Sequence, residues 1–307
     1  MSGWDTDTLP SQVGLTAVVT GAGRGVGYFV AEGLAAAGAR VIITTRTAAD
    51  AVTAAESIRA NVPGAIVESV ILDLASLESV RTAAAELRAL GPIDILINNG
   101  GKTSGSRTRE TTADGLEIMV GTNAYGPFAL TALLMPALSP TARIVSLGSL
   151  STQLKKADLS DLEQSGGKYS MSTAYAYSKH GMHALAFELD RRLRASGSGI
   201  SSVLAHPGFA LDANSVPRPG INDRSSAAQR IGEKLMRPFA HGKDRGAWPV
   251  LRAATDPDAQ GGQFYGPHRS VTGRPVLATP VPQSADPAFG AEFWRLAEKA
   301  TGVQFDV

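Results

Sequence analysis

The chain has 307 residues, 43% of them hydrophobic, a formal net charge of +1 and no cysteine. That length fits one large α/β domain or two smaller ones, and the balanced charge offers no field for nucleic acid or a membrane surface. The lack of cysteine excludes disulfides, thiolate zinc sites and cysteine nucleophiles, and fits a reducing compartment. Met1 to Gln12 is polar, with Asp5 and Asp7, and lacks the basic-then-apolar pattern of a signal peptide. No apolar run is read as approaching the ~20 residues of a membrane span. The expectation is a soluble, cytoplasmic protein without a nucleic-acid or membrane partner.

Short apolar runs alternate with helical patterns over the first two thirds of the chain. Leu15 to Thr20 reads as a strand and Val26 to Ala37 as an Ala-rich helix. Ala39 to Thr45 is a β-branched strand, Ala48 to Asn61 a helix, and Ala65 to Leu72 a third strand. Leu77, Val80, Ala84 and Leu87 recur at three and four residues, the helical period. Ile93 to Asn98 is a strand behind Gly91-Pro92, and Gly115 to Leu138 is helical in two pieces. Arg143 to Leu147 is the next strand, Thr173 to Ala195 a long helix, and Ile200 to Ala205 a sixth strand. Strands this apolar are buried on both faces, which requires helices on both sides of a parallel sheet. The alternation predicts a doubly wound α/β sheet.

After Ala205 the pattern weakens. Pro207 to Gly220 is rich in Pro, Gly and small residues, and Asn222 to Arg245 is polar, Arg-rich and read as partly helical. Gly261 to Gly266 reads as a last short strand, Pro275 to Pro287 as extended. Ala288 to Thr301 reads as a closing helix with Phe293, Trp294 and Leu296 on its apolar side and Gly302 as its C-cap. No linker marks a second domain, so residues 1–307 are read as a single domain, with 206–245 as an irregular segment over one sheet edge.

Thr20-Gly21-Ala22-Gly23-Arg24-Gly25-Val26-Gly27 leaves the first strand and opens the first helix, the context in which a glycine loop holds a dinucleotide. Gly21 and Gly25 allow backbone conformations that a Cβ obstructs. The helix N-terminus offers free N–H groups and a positive dipole end to a pyrophosphate, and Gly27 lets helix and strand pack closely. At the end of the second strand, where an acid would bind a ribose 2′-hydroxyl, the chain has Thr44-Thr45-Arg46. Arg46, joined by Arg24, suits a 2′-phosphate, which favours NADP(H) over NAD(H). Asp73, after the third strand, either bonds the adenine edge or caps the helix beginning near Ser76.

Tyr175 and Lys179 lie four residues apart, on one face of the long helix. An ammonium beside a phenol favours the phenolate and lowers the phenol pKa from about 10. A tyrosine that trades its proton near neutral pH is a general acid/base. Tyr169 and Tyr177 compete with Tyr175, and Ser146 and Ser151 with Ser149. His180 and His183, three apart, lack an evident third ligand, so no metal is expected.

Taken in order, Thr20-Gly21-x-x-x-Gly25-x-Gly27, Asp73-Leu74, Asn98-Asn99-Gly100-Gly101, Asn123, Ser149, Tyr175-x-x-x-Lys179 and Pro207-Gly208 resemble the short-chain dehydrogenase/reductases across Leu15 to Gly208. Thr45-Arg46, His206-Pro207-Gly208 and Tyr265-Gly266-Pro267 are most similar to its retinol dehydrogenase-like and WW-domain oxidoreductase-like branch. The resemblance implies a Rossmann fold and hydride transfer between NADP(H) and a small-molecule carbonyl or secondary alcohol. It implies Tyr175 as general acid/base, Lys179 on the nicotinamide ribose and Ser149 on the substrate oxygen. Asn123 would serve a water-linked proton path, and Asn98, Gly100 and Leu74 the adenosine side. Pro207 and Gly208 would pass near the nicotinamide. It also implies a dimer or tetramer formed through helices near 115–138 and 173–195.

Three departures stand out. Gly100 replaces the usual alanine. Lys102 stands where relatives often carry an apolar residue, facing phosphate, substrate or solvent. The threonine that often follows Pro-Gly is absent from Phe209-Ala210-Leu211-Asp212. The competing readings are a catalytically silent dinucleotide sensor or scaffold on the same fold, and a dehydratase or epimerase. Residues 150–172 and 206–245 would build the substrate pocket, with Leu154, Leu159, Met171, Phe209 and Leu211 suiting a bulky apolar substrate.

Overall fold

The chain is described here by a computed structural model covering residues 4–6, 8–222 and 236–307. Its central sheet is dictated by runs in which neighbouring side chains enter opposite cores. In β1 (Thr16–Val19), Val18 joins one apolar core while Ala17 and Val19 join the other. In β2 (Arg40–Thr45), Ile42 and its neighbours Val41 and Ile43 divide in the same way. So do Leu96 against Ile95 and Ile97 in β4 (Ile93–Asn98), and Ile144 against Val145 in β5 (Leu138–Leu147). Period-two alternation with both faces apolar requires a helical layer on each side.

With β3 (Val67–Ile71), β6 (Ser201–Ala205), β7 (Phe264–Pro267) and β8 (Pro275–Leu277), the sheet has the order β8-β7-β6-β5-β4-β1-β2-β3. All pairings are parallel except β8 with β7. On one face lie α3 (Leu77–Ala89), α5 (Gly126–Leu134), α6 (Met171–Ala195) and the closing helix Pro287–Thr301. On the other lie α1 (Gly25–Ala36), α2 (Ala48–Asn61) and the helix Trp248–Thr255. Thr47, Ser76 and Ser170 cap α2, α3 and α6 by accepting from the backbone N–H of Asp50, Ser79 and Thr173, which satisfies N–H groups that a helix start leaves open. Gly302 ends the closing helix at φ 64°, the left-handed position that glycine takes without strain.

The departures from expectation have local causes. The helical region after Gly115 is interrupted: α4 (Ile118–Val120) runs through a π turn at Gly121–Tyr125 into α5. β5 starts at Leu138, ahead of its apolar run, because Leu138 pairs with Ile93 across a register shift. The helix Trp248–Thr255 was not anticipated; it is eight residues long with a proline in its first turn, too short for a clear period. Of the Arg-rich segment Asn222 to Arg245 expected to be partly helical, 223–235 lie outside the described residues, and the described remainder is helical only in short turns at Arg237–Phe239 and Lys243–Gly246.

The helical stretch Ile118–Ala137 is long and apolar enough to cross a membrane by length and composition, contrary to the expectation that no apolar run approaches that length; 72% of its most apolar part is buried inside the protein. Helix Pro287–Thr301 covers this stretch. Phe293 stacks on Tyr125 with centroids 6.1 Å apart, and Trp294 meets Phe128 edge-on at 5.1 Å. Subunit contact through α5 and α6 would therefore have to use their other faces.

Candidate active site

Strand order reverses between β1 and β4, and a crevice opens outside the carboxyl ends of the strands at such a switch point. The loops leaving β1, β2, β4, β5 and β6 border it and carry most of the residues singled out above.

The loop after β1 is packed against the loop after β4. Gly21 has φ 65°, and a Cβ there would lie 2.7 Å from Gly100 Cα. Asn99 Nδ2 donates to the carbonyls of Thr20 at 2.7 Å and Gly21 at 3.2 Å, while Gly100 N donates to Thr20 Oγ1 at 2.8 Å. Gly25, at φ 68°, turns the chain into α1, and partly buried Val26 follows it. A Cβ on Gly23 would press on Thr45 Cγ2 at 3.1 Å, so the loop also touches the end of β2. Arg24, at the N-cap of α1, makes no side-chain cap bond, and the first turn holds no acid. Open N–H groups and an unneutralised dipole end fit an anion. These features, with a loop too tight for Cβ atoms, fit a pyrophosphate.

Arg24 and Arg46 are both exposed, and neither side chain has a hydrogen-bond or ion-pair partner among the described residues. Asp50 also lies beside Gly23; its Oδ2 accepts from the Thr47 hydroxyl at 2.9 Å. Of the two roles open to Asp73, the cap of α3 is taken by Ser76; Asp73 Oδ1 accepts from Ala75 N at 3.0 Å in the turn after β3. Leu74 is buried beneath Gly100, where a Cβ would come 2.8 Å from Leu74 Cδ1. Asn98 is buried and braces β4 against α5, its Nδ2 donating to Thr131 Oγ1 at 2.9 Å. The residue that grips the glycine loop is therefore its neighbour Asn99.

On the other side of the crevice, the Ser149 side chain lies near enough to the Tyr175 phenol to draw its pKa down. Ser149 follows β5, and its Oγ accepts from Ser151 N at 3.2 Å. Lys179 is buried one turn beyond Tyr175; its Nζ donates to the Leu147 carbonyl at 2.9 Å and stands 6.0 Å from the centre of the Tyr175 ring. Burial lowers the Lys179 pKa to about 8. The expected lowering of the Tyr175 pKa does not hold in this arrangement. Burial pushes the phenol up, Ser149 pulls it part of the way back, and the Lys179 ammonium is turned toward Leu147.

Asn123 sits in the π turn, fully buried, with its side chain wholly engaged. Oδ1 accepts from Lys102 N at 2.6 Å; Nδ2 donates to Lys102 O at 2.9 Å and to Ser178 Oγ at 3.0 Å. Ser178 Oγ in turn donates to the Tyr175 carbonyl at 2.8 Å. The Asn123 amide thus ties the Lys102 loop to the Tyr175 turn rather than pointing into the crevice. The Pro207-Gly208 turn borders the same end of the sheet. A Cβ on Gly208 (φ 69°) would lie 2.3 Å from Val271 O, so only glycine fits. Pro207 O accepts from His241 Nε2 at 2.7 Å.

The rival residues are accounted for. Tyr169 donates to Glu117 Oε1 at 3.0 Å, Tyr177 packs on the apolar core, and Ser146 is buried inside β5. His180 uses both nitrogens, Nε2 toward Lys155 O and Nδ1 toward Ser284 Oγ, each at 2.7 Å. His183 was not singled out for a role at the site. It continues the face of Tyr175 and Lys179 one further turn. Its Nε2 accepts from Ser149 N at 3.3 Å, and the ring lies where a Cβ on Gly148 would come within 2.3 Å. Burial holds its pKa well below the usual histidine value, helped by His180, Lys179 and His206, so the neutral ring is the acceptor. His183→Leu should keep the packing but strand the Ser149 N–H, costing about 1–3 kcal/mol of stability. Urea unfolding checks this, and an unchanged midpoint would contradict it.

The short chain dehydrogenase family model matches residues 15–215. The chain is 35% identical to the polyprenol dehydrogenase of Mus musculus over 260 residues, covering 82% of this chain and 75% of that protein. It is 38% identical to retinol dehydrogenase 13 of Homo sapiens over 206 residues, covering 66% of this chain and 60% of that one. Among solved structures it is similar to the RhlG/NADP active-site complex of Pseudomonas aeruginosa, with 26% identity and a TM-score of 0.62 over 83% of this chain and 94% of that one. With the doubly wound sheet and the glycine loop in place, the chain belongs to the short-chain dehydrogenase/reductases, a family of oxidoreductases that use a nicotinamide dinucleotide.

Proposed function

We propose that the protein is an NADP(H)-dependent reductase or dehydrogenase acting on a carbonyl or secondary alcohol. The observation that carries this reading is the hydroxyl pair of Tyr175 and Ser149, set at the same carboxyl end of the sheet as a glycine loop with an uncapped helix start. When bound, the dinucleotide supplies or accepts a hydride. Tyr175, whose phenol burial keeps protonated at neutral pH, donates its proton to the substrate oxygen in reduction and takes it back in oxidation. The Ser149 hydroxyl holds that oxygen as negative charge develops. Lys179 would hold the nicotinamide ribose, and its cation favours the phenolate when Tyr175 has given up its proton. Asn123 keeps Lys102 and the Tyr175 turn in register. The names of the relatives, polyprenol and retinol dehydrogenases, extend the reading to a large apolar substrate. Leu154, exposed beyond β5, and partly buried Phe209 and Leu211 suit one.

The exposed Arg24 and Arg46 make the cofactor choice testable. Wild type should bind NADPH more tightly than NADH in a calorimetric titration. Arg46→Glu should weaken NADPH by about tenfold or more while leaving NADH nearly unchanged. Equal wild-type affinities would remove the NADP(H) preference. A carbonyl and alcohol screen tests the reaction: tight NADPH binding with no turnover on any of them would favour the silent sensor.

A further inference from the structure

We propose that Lys243 is a pyrophosphate-binding cation, held over the glycine loop by Asp212; the assignment rests on the dinucleotide reading above. Two short strands, Ala210–Leu211 and His241–Gly242, pair in parallel, with Ala210 opposite His241 and Leu211 opposite Gly242. This register brings the next residues, Asp212 and Lys243, side by side, and Lys243 Nζ meets Asp212 Oδ2 at 2.6 Å. The pair stands against α1. A Cβ placed on Gly25 would lie 3.8 Å from Lys243 Nζ and 3.7 Å from its Cδ. Gly25 is the first residue of α1, whose start has neither a side-chain cap nor an acid. Asp212 balances the ammonium, but the helix start beside it has no side-chain cap and no acid in its first turn, so an anion placed there would meet both the lysine and the open N–H groups.

The lysine is held in place at its base. Lys243 N donates to Ser215 Oγ at 2.8 Å, and that hydroxyl donates to Leu211 O at 2.9 Å. Asn214 Nδ2 donates to Ala240 O at 2.8 Å, tying the same turn to the strand before Lys243. Gly242 has no room for a side chain, since a Cβ would lie 2.5 Å from Asn214 O and 2.7 Å from Ser215 Cα. Asp244 points elsewhere, its Oδ1 accepting from Val216 N at 3.3 Å, and Arg245 lies over Trp248. Asp212 Oδ1 is buried and has no hydrogen-bond partner among the described residues, so the carboxylate is engaged through Oδ2, which holds the lysine. A solvated surface pair would need neither the anchored backbone nor the seat over Gly25.

Titration of the full-length chain with NADPH, ADP-ribose and adenosine 2′-monophosphate separates the contributions. ADP-ribose keeps the pyrophosphate without nicotinamide; adenosine 2′-monophosphate has no pyrophosphate. Lys243→Gln should weaken NADPH and ADP-ribose by about tenfold each and flatten the salt dependence of both. Its affinity for adenosine 2′-monophosphate should be unchanged, and Lys243→Arg should restore most of the loss. Unchanged NADPH and ADP-ribose affinity in Lys243→Gln overturns the assignment, and so does an equal loss with adenosine 2′-monophosphate. A wild-type chain that binds neither NADPH nor ADP-ribose overturns this assignment together with the reading beneath it.

Discussion

Tyr175→Phe is expected to lower turnover by about 10²–10⁴-fold while NADPH affinity stays nearly the same. The substitution removes one oxygen and leaves the ring in its place on α6. What goes is the proton that reduction delivers, together with the phenol's interaction with Ser149. Burial already pushes the phenol pKa up, so the wild-type group holds its proton at neutral pH and is poised as an acid. Oxidation needs the phenolate and should therefore gain rate as pH rises above neutrality, whereas reduction should not. Stability should change little, because the phenol hydroxyl makes no other contact among the described residues that holds the fold, and removing it relieves the cost of burying a polar group. Rate and affinity must be read separately, by steady-state kinetics and by direct titration of NADPH. A variant that turns over at the wild-type rate would sink Tyr175 as the proton donor. A variant that loses NADPH affinity in step with rate would recast the phenol as a binding group.

The strands and helices up to Ala205 were legible because each follows from a local pattern. β4 was expected at Ile93 to Asn98 and α2 at Ala48 to Asn61, and both occur there. The motifs were legible because their residue types are scarce and ordered. What the sequence did not reveal are contacts between distant segments. Asn99 grips the glycine loop 78 residues away, and His183 receives the Ser149 N–H across 34 residues; neither distance leaves a period. The phenol pKa was misread for the same reason. Helical spacing places Tyr175 and Lys179 on one face, but the Lys179 ammonium is drawn to a carbonyl of β5. Asn98 spends its side chain on Thr131, and its neighbour Asn99 makes the contact with the glycine loop. The late helix Trp248–Thr255 and the pairing of Ala210–Leu211 with His241–Gly242 come from elements too short to carry a signal. For His183, a signal did exist: it is the next member of the four-residue series from Tyr175 through Lys179.

Gly27→Ala should destabilise the protein by about 2–3 kcal/mol and remove most of its dinucleotide affinity. In an exposed helix the same change would gain up to about 1 kcal/mol, since alanine is the better helix former. Here the sign reverses because of what lies beside Gly27. A Cβ would fall 2.2 Å from Asn99 Nδ2 and 2.7 Å from Gly21 O. The first is the amide that donates to Thr20 O and Gly21 O; the second is backbone of the glycine loop itself. Moving Asn99 aside breaks both bonds, and moving the loop misplaces the N–H groups offered to pyrophosphate. Gly33, two turns further along α1, is the control. A Cβ there would meet only the tip of the Leu251 side chain, at 2.9 Å and 3.1 Å, and a leucine tip can turn away. Gly33→Ala should therefore be close to neutral in both urea midpoint and NADPH titration, while Gly27→Ala fails in both. If the two variants behave alike, then clearance at Gly27 does not shape the loop, and the close packing of α1 on the loop after β4 loses its place in the account of dinucleotide binding.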